Sequence, residues 1–132
     1  MKIEELRIGN YLNQLLGYVK NEAQYQMVEV SAYLFGTYFQ TNFDEFVPIP
    51  LTEEWLIKLG FRKMYVYDDV YLKNTFSSPF SLDSEDFLFD NRVKMLMVDV
   101  EDIIQHKGVK IEFVHQLQNL YFSLTGEELT IK

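Results

Sequence analysis

The chain has 132 residues, a net charge of −8 at pH 7, no cysteine and two histidines. Such an acidic chain lacks the basic face that a protein coating duplex nucleic acid needs. The absence of cysteine excludes a disulfide framework, a thiol nucleophile and cysteine-ligated zinc, and two histidines are too few for a multi-histidine metal site. The length predicts a single domain over residues 1–132.

The first strands are predicted from alternation and glycine positions. Residues 6–12 are predicted to form the first strand, and Gly17 is predicted to form a turn. Alternating side chains then predict a strand over residues 25–35. The aromatic stretch 36–47 fits either another strand or an ordered loop.

A short helix is the clearest local prediction in the chain. Thr52 is a good N-cap, and Glu53 and Glu54 follow it in the first turn, where the helix dipole favours negative charge. Gly60 suits the left-handed position that ends a helix. We therefore expect a helix over residues 53–59.

Residues 61–108 carry hairpin patterns. Alternation predicts one hairpin over residues 61–72 and a second around residues 90–91, with a loop over residues 74–86 between them. Residues 99–108 fit either a short helix or two strands joined by a turn at residues 106–108.

Negative charge is concentrated in the second half of the chain. Residues 1–66 hold six basic and eight acidic side chains, a charge of −2, whereas residues 67–132 hold six basic and twelve acidic ones, a charge of −6. The clustered acids are Asp68, Asp69, Asp83, Glu85, Asp86, Asp90, Asp99, Glu101 and Asp102. They fit a solvated acidic rim better than a hard-cation site or a surface that steers a basic partner, and their spacing matches no calcium loop.

A longer helix is predicted over residues 113–124, closed by Gly126. At 100° per residue, one side of this helix is an apolar stripe suited to packing on a sheet. The opposite side carries no charged residue, which is unusual for a solvated face.

Four residues on that uncharged side form the candidate site: His115, Gln118, Asn119 and Phe122. Amides offer paired donors and acceptors, imidazole titrates near neutrality, and a phenyl ring offers a stacking plane. The functional interpretation is a pocket or surface for a ligand or partner. The alternative is a central helix buried on both sides whose amides bond to nearby loops.

Three sequence blocks carry a family resemblance: LRIGNYL, PIPLTEEWLIKLGF and VHQLQNLYFSLTGEEL, in this order along most of the chain. Together they resemble an uncharacterised family of small proteins encoded by bacterial genomes, phages and prophages. The resemblance implies a cytoplasmic setting, often on a mobile element. It implies no activity, cofactor or catalytic residue.

The sequence therefore predicts an α+β fold, with a curved antiparallel sheet on which the two helices pack. The chain shows no membrane-length apolar run and no secretory leader, so we expect it in the cytoplasm and away from membranes.

Nothing in the sequence marks an enzyme, a metal site or a cofactor site strongly. We expect a small non-enzymatic protein that presents an aromatic and amide surface to a protein partner. The aromatic fraction of 16% fits this surface, although a β-rich core explains it as well. The alternatives are a protein that binds or sequesters a nucleotide-like ligand and, third, a carboxylate- or metal-dependent hydrolase.

Overall fold

The computed structural model describes residues 1–63, 75–77, 88–91, 94–100 and 103–132. The chain divides into two compact units. The first comprises Met1–Pro50 and Phe113–Leu129, and the second comprises Leu51–Glu112 and Thr130–Lys132. Each unit is described by itself, and the prediction of one domain stays a prediction.

The first unit contains a three-stranded antiparallel sheet. Its strands are β1 (Tyr11–Val19), β2 (Glu22–Glu29) and β3 (Phe46–Pro48), in the order β2-β1-β3. The turn between β1 and β2 places Lys20 and Asn21 at φ values of 51° and 65°. Two successive positive φ values are what the tightest hairpin turn requires, because they match the twist of the strands.

Two predictions about β1 are wrong. The strand begins at Tyr11 rather than at residue 6, because a 3-10 turn (Ile3–Glu5) and a bend at Gly9 (φ 98°) precede it. Gly17 lies inside the strand at a register shift rather than in a turn, with φ at 148°. Its conformational freedom is used by a β-bulge.

The segment between β2 and β3 is helical, and this too differs from the prediction. A π-helical turn (Leu34–Tyr38), helix α1 (Phe39–Asn42) and a 3-10 turn (Phe43–Glu45) follow one another. Phe39 makes edge-to-face contacts with Phe35 and Phe43, at centroid distances of 5.6 and 5.2 Å. Phenylalanines four residues apart share one helix face, so their mutual packing favours a helix over the predicted strand or loop.

One hydrophobic core holds this segment on the sheet. The buried residues of that core are Leu6, Leu12, Val30, Phe39 and Phe46. Val28, which pairs with Leu12 across the sheet, packs against them. The hairpin is therefore covered at Leu12 and Val28.

Helix α3 (Val114–Thr125) completes the first unit, one residue out of phase with the predicted 113–124. Gly126 ends it in the left-handed conformation (φ 74°), and its N–H donates to the carbonyl of Phe122 at 2.8 Å. Val114, Leu117 and Tyr121 are buried, in agreement with the predicted apolar stripe, although Leu124 at the end of that stripe is exposed.

The second unit contains the predicted short helix, α2 (Glu53–Lys58). The Thr52 hydroxyl accepts a hydrogen bond from the N–H of Trp55 at 3.3 Å, as expected of an N-cap. At the other end Gly60 adopts φ 92°, and the N–H groups of Gly60 and Phe61 donate to carbonyls in the last turn. This double hydrogen bond is the Schellman arrangement that glycine favours.

A five-stranded antiparallel sheet makes up the rest of the second unit. Its strands follow one another in sequence order: β4 (Arg62–Lys63), β5 (Thr75–Ser77), β6 (Leu88–Asp90), β7 (Met95–Val100) and β8 (Ile103–Lys110). The hairpin around residues 90–91 is confirmed by the pairing of β6 with β7.

Strand β5 lies within the predicted loop 74–86, where its pairing with β4 and β6 overrides the local turn composition. Both predictions for residues 99–108 are wrong, because β7 runs to Val100 and residues 106–108 lie inside β8. The far half of the predicted hairpin 61–72 falls outside the described residues.

The predicted class is confirmed: the fold is mixed α+β, with antiparallel sheets, a short helix and a C-terminal helix. The described residues form two sheets, neither closed into a barrel, where one curved sheet was expected. Within the described part of the chain no helix is long and apolar enough to cross a membrane.

Candidate functional site

The four predicted site residues lie along α3 at different depths in the first unit. His115 and Gln118 are buried, Asn119 is half-buried, and Phe122 has 37% of its surface exposed. All four contact the N-terminal residues 5–11 within this unit, as follows.

The Gln118 amide is fully engaged in hydrogen bonds. Its Nε2 donates to the carbonyls of Gly9 and Leu129, both at 3.0 Å, and its Oε1 accepts from the N–H of Tyr11 at 2.8 Å. A buried polar side chain needs such partners, because a buried amide group without a hydrogen bond lowers the stability of the fold by about 1–3 kcal/mol. Gln118 therefore joins the start of β1, the preceding bend and the C-terminal tail.

The Asn119 amide faces the same N-terminal residues. Its Oδ1 accepts from Asn10 Nδ2 at 2.9 Å and from Arg7 Nη1 at 3.3 Å. Its Nδ2 donates to the carbonyl of Glu5 at 2.7 Å. These bonds match the alternative left open by the sequence, in which the amides of the helix satisfy nearby loops.

A cation covers the Phe122 ring. The guanidinium carbon of Arg7 lies 3.8 Å from the ring centroid, and Arg7 Nη2 also pairs with Glu128. Arginine stacked on a phenyl ring contributes about 0.5–1 kcal/mol at exposed sites. The plane that was predicted to stack on a ligand base is occupied by this side chain.

His115 is buried beside a carboxylate. It has 1% of its surface exposed, and its Nε2 lies 3.5 Å from Glu5 Oε2. By the usual geometric criteria neither ring nitrogen has a hydrogen-bond partner among the described residues. Burial lowers the pKa of His115 below its ordinary value of 6.5, and Glu5 opposes that shift only in part. Near neutral pH the imidazole is therefore uncharged, and its ring stacks on Phe113 at a centroid distance of 6.0 Å.

A second surface, which the sequence did not single out, lies on the β1–β2 hairpin. Five large apolar side chains are exposed there: Leu16 (61%), Tyr18 (69%), Val19 (59%), Tyr25 (48%) and Met27 (41%). Val19 pairs with Glu22 and so lies on the face of Leu12 and Val28. We call the other four residues the hairpin patch. Alternation along residues 25–35 hinted at a two-sided strand, but it did not tell which side is left uncovered.

The strand register places the hairpin patch on one face. Tyr25 and Met27 are two residues apart in β2 and so point to the same side of the sheet. Tyr18 pairs with Ala23, which also belongs to that side. Tyr18, Tyr25 and Met27 thus lie opposite the face that carries Leu12 and Val28. Leu16 is the unpaired residue of the bulge between Leu15 and Gly17 and adjoins them in sequence.

The predicted acidic clusters contribute no described metal site. Residues 68–69, 83–86 and 101–102 lie outside the described part of the chain. Among the described residues no group of three or more histidine or acidic side chains is placed to hold a metal ion.

Comparison with known proteins finds one weak similarity. The chain is 28% identical over 118 residues to "Ribosomal RNA small subunit methyltransferase A" of Mycoplasma mycoides subsp. mycoides SC. The similarity covers 85% of this chain and 41% of that protein, so the chain spans about two fifths of its length. No family model and no solved structure matches the chain.

Proposed function

We propose that this chain is a non-enzymatic protein-interaction domain that contacts its partner through the hairpin patch. The observation that carries the proposal is the exposure of two tyrosines and a methionine on one face of one hairpin, with an exposed leucine at its bulge. The opposite face packs against the core of the unit at Leu12 and Val28, whereas Val19 and Gln26 on that face are exposed.

The size and composition of the hairpin patch support a role in binding. Aromatic side chains bury about 150–250 Å² each, so four partly exposed residues of this size present on the order of 400 Å². Patches of about 300–600 Å² are the largest that monomeric proteins expose, and they are often functional. Tyrosine is also enriched at interfaces, since it offers apolar area and a hydroxyl at low entropic cost.

The predicted site on α3 has a subordinate place in this proposal. Contact of His115, Gln118, Asn119 and Phe122 with a partner stays a prediction. Of the four, Phe122 has the most exposed surface, and its ring is stacked against Arg7. We therefore propose that the hairpin makes the main contact with the partner. The amides of α3 stabilise the start of β1.

The name of the Mycoplasma protein suggests an RNA-directed role, which we do not favour. The chain has a net charge of −8, and the hairpin patch itself carries no basic side chain. RNA binding draws most of its affinity from lysine and arginine near phosphates. An apolar tyrosine-rich face fits a protein surface better. We look for the partner in the cytoplasm, where the family resemblance places the chain.

The proposal is tested by capture with matched variants. The immobilised chain is incubated with a bacterial lysate, beside Tyr25→Ser and the control Tyr33→Ser. Tyr33 is the matched control because it is an exposed tyrosine (65%) that lies outside the hairpin. The captured protein is then purified, and its Kd is measured against each variant.

We expect Tyr25→Ser to weaken binding at least tenfold, which corresponds to about 1.4 kcal/mol. Tyr33→Ser should change the Kd less than twofold. If both variants bind the purified partner as the unaltered chain does, the hairpin patch is not the contact surface and the proposal fails.

A further inference from the structure

Strand β2 forms an edge of the three-stranded sheet. The sheet order β2-β1-β3 leaves one side of β2 without a neighbouring strand among the described residues. Six of its eight residues are exposed. An edge of this length presents a row of backbone N–H and C=O groups to which another extended segment can pair.

The usual protection of an edge strand is absent from β2. Natural sheets blunt their edges with lysine, proline or a bulge on the edge strand itself. The sequence of β2 is EAQYQMVE, which contains neither lysine nor proline, and the bulge of this hairpin lies on β1. None of these three features therefore prevents another strand from pairing with β2.

The charges at the two ends of β2 determine which kind of strand can pair with its free edge. Glu22 and Glu29 are exposed, and the six residues between them are uncharged. If a second copy of the chain paired its own β2 antiparallel in the centred register, each Glu22 would face a Glu29. Like charges directly opposite each other destabilise a strand pair. The edge is thus matched to a strand with basic ends.

We propose that the occupant of this edge is an extended segment of a partner protein, paired antiparallel to β2 and carrying a lysine or arginine at each end. This inference rests on the function proposed above and specifies how the partner is held. Between its basic ends the segment has apolar side chains on the face that continues the hairpin patch.

The register of β2 fixes the spacing in the partner segment. In antiparallel order its first residue meets Glu29, its third meets Met27, its fifth meets Tyr25 and its eighth meets Glu22. The first and eighth residues are basic, and the third and fifth are apolar because they lie beside Met27 and Tyr25 on one face. Backbone hydrogen bonds supply affinity, and these four side chains supply selectivity.

The experiment uses a designed peptide and the full chain. The probe is a labelled, end-blocked octapeptide of sequence KTVTVTTK, and the matched control is ETVTVTTE. Binding is measured by fluorescence anisotropy to the unaltered chain and to the double variant Glu22→Lys, Glu29→Lys. We expect the unaltered chain to prefer the lysine peptide at least tenfold and the double variant to reverse this preference.

Backbone pairing is tested separately from charge. Two further lysine peptides carry N-methyl groups on alternate backbone nitrogens, in the two opposite phases. Only one phase removes hydrogen bonds to β2, so we expect one peptide to lose binding and the other to keep it. Equal binding of the lysine and glutamate peptides, equal binding of both methylated peptides, or no binding of KTVTVTTK would each overturn the inference.

The two proposals fail in different ways. If the cellular partner is lost with Tyr25→Ser but retained by the Glu22→Lys, Glu29→Lys variant, the hairpin patch binds its partner without these charges and only the edge inference fails. A dimer of the unaltered chain that sedimentation detects and that excess KTVTVTTK dissociates would assign the edge to a second copy and would overturn the edge inference.

Discussion

The buried side of α3 and the outer face of the β1–β2 hairpin use opposite chemistry. On α3, polar amides are buried and every hydrogen-bonding group of Gln118 is engaged within the chain. On the hairpin, apolar side chains are exposed and continue to an unpaired strand edge. Polar groups that have partners inside the chain support the fold, whereas apolar groups left in water are available to another molecule. The predictions below test this contrast in order of decreasing effect on stability.

Gln118→Leu should have the largest effect. The substitution keeps the volume similar but leaves the Gly9 and Leu129 carbonyls and the Tyr11 N–H without their partner. We expect a loss of about 3 kcal/mol in the free energy of unfolding, measured by urea denaturation. Gln26→Leu, at an exposed position of β2, is the control and should change stability by less than about 0.5 kcal/mol. Equal effects of the two substitutions would contradict a supporting role for the buried amide.

Asn119→Ala should have an intermediate effect. It removes an acceptor from Asn10 and Arg7 and a donor to the carbonyl of Glu5, at a half-buried position where water can replace part of what is lost. We expect a loss of about 1–2 kcal/mol by the same measurement. Ser123→Ala is the control, because the Ser123 hydroxyl is exposed and bonds only within its own helix.

The buried imidazole makes stability depend on pH. Because burial lowers the pKa of His115 in the folded chain, the unfolded chain binds the proton more readily. Stability from this group is fully present above the unfolded pKa of about 6.5 and is lost as pH falls through the folded pKa. Urea denaturation at pH 7.5 and 5.5 should show a loss on the order of 1 kcal/mol that His115→Gln abolishes and the exposed-site control Gln26→Leu retains. An unchanged pH slope in His115→Gln would show that another group is responsible.

Phe122→Leu should cost less. The substitution removes the ring beneath the Arg7 guanidinium but keeps apolar volume. We expect a loss of about 0.5–1 kcal/mol, measured as a shift in Tm, and a smaller shift in the presence of Arg7→Gln, where the stacked cation is already absent. Additive shifts in the double variant would rule out an interaction between the two side chains.

Tyr18→Ser should have the smallest effect on stability and a large one on binding. Tyr18 is the most exposed residue of the hairpin patch. We expect its substitution to change the free energy of unfolding by less than about 0.5 kcal/mol. Binding of the captured partner should nevertheless weaken at least tenfold. A destabilisation as large as that of Asn119→Ala would mean that Tyr18 belongs to the fold rather than to an interface.

The sequence predicted the elements whose ends are encoded locally. Helix α2 has its cap at Thr52 and its glycine at Gly60, and α3 has Gly126, so neighbouring residues alone mark their limits. Gly17 shows where this fails, because the same freedom of φ serves a turn or a bulge, and only the pairing of β1 with β2 distinguishes them. The helical segment after β2 was missed because its aromatic residues favour strands locally, whereas Phe39 is stabilised by packing on the sheet.

The sequence predicted which residues belong to the candidate site but not their surroundings. Periodicity identified which residues share the uncharged side of α3, but it carries no information on what covers that side. The N-terminal residues that cover it are more than 100 positions away in the sequence. Exposure of the hairpin patch likewise depends on tertiary packing, which alternation along a strand does not encode.

The hydrogen bond between Tyr11 and Gln118 also has a consequence for synthesis of the chain. It closes a loop of 107 residues, and contacts of such long range form late because their loop entropy must be overcome first. At about 5–20 residues per second, a ribosome needs roughly 5–20 s to pass from one residue to the other. During that interval the bond from the Tyr11 N–H to Gln118 cannot form, so the start of β1 gains this support only when the last helix emerges.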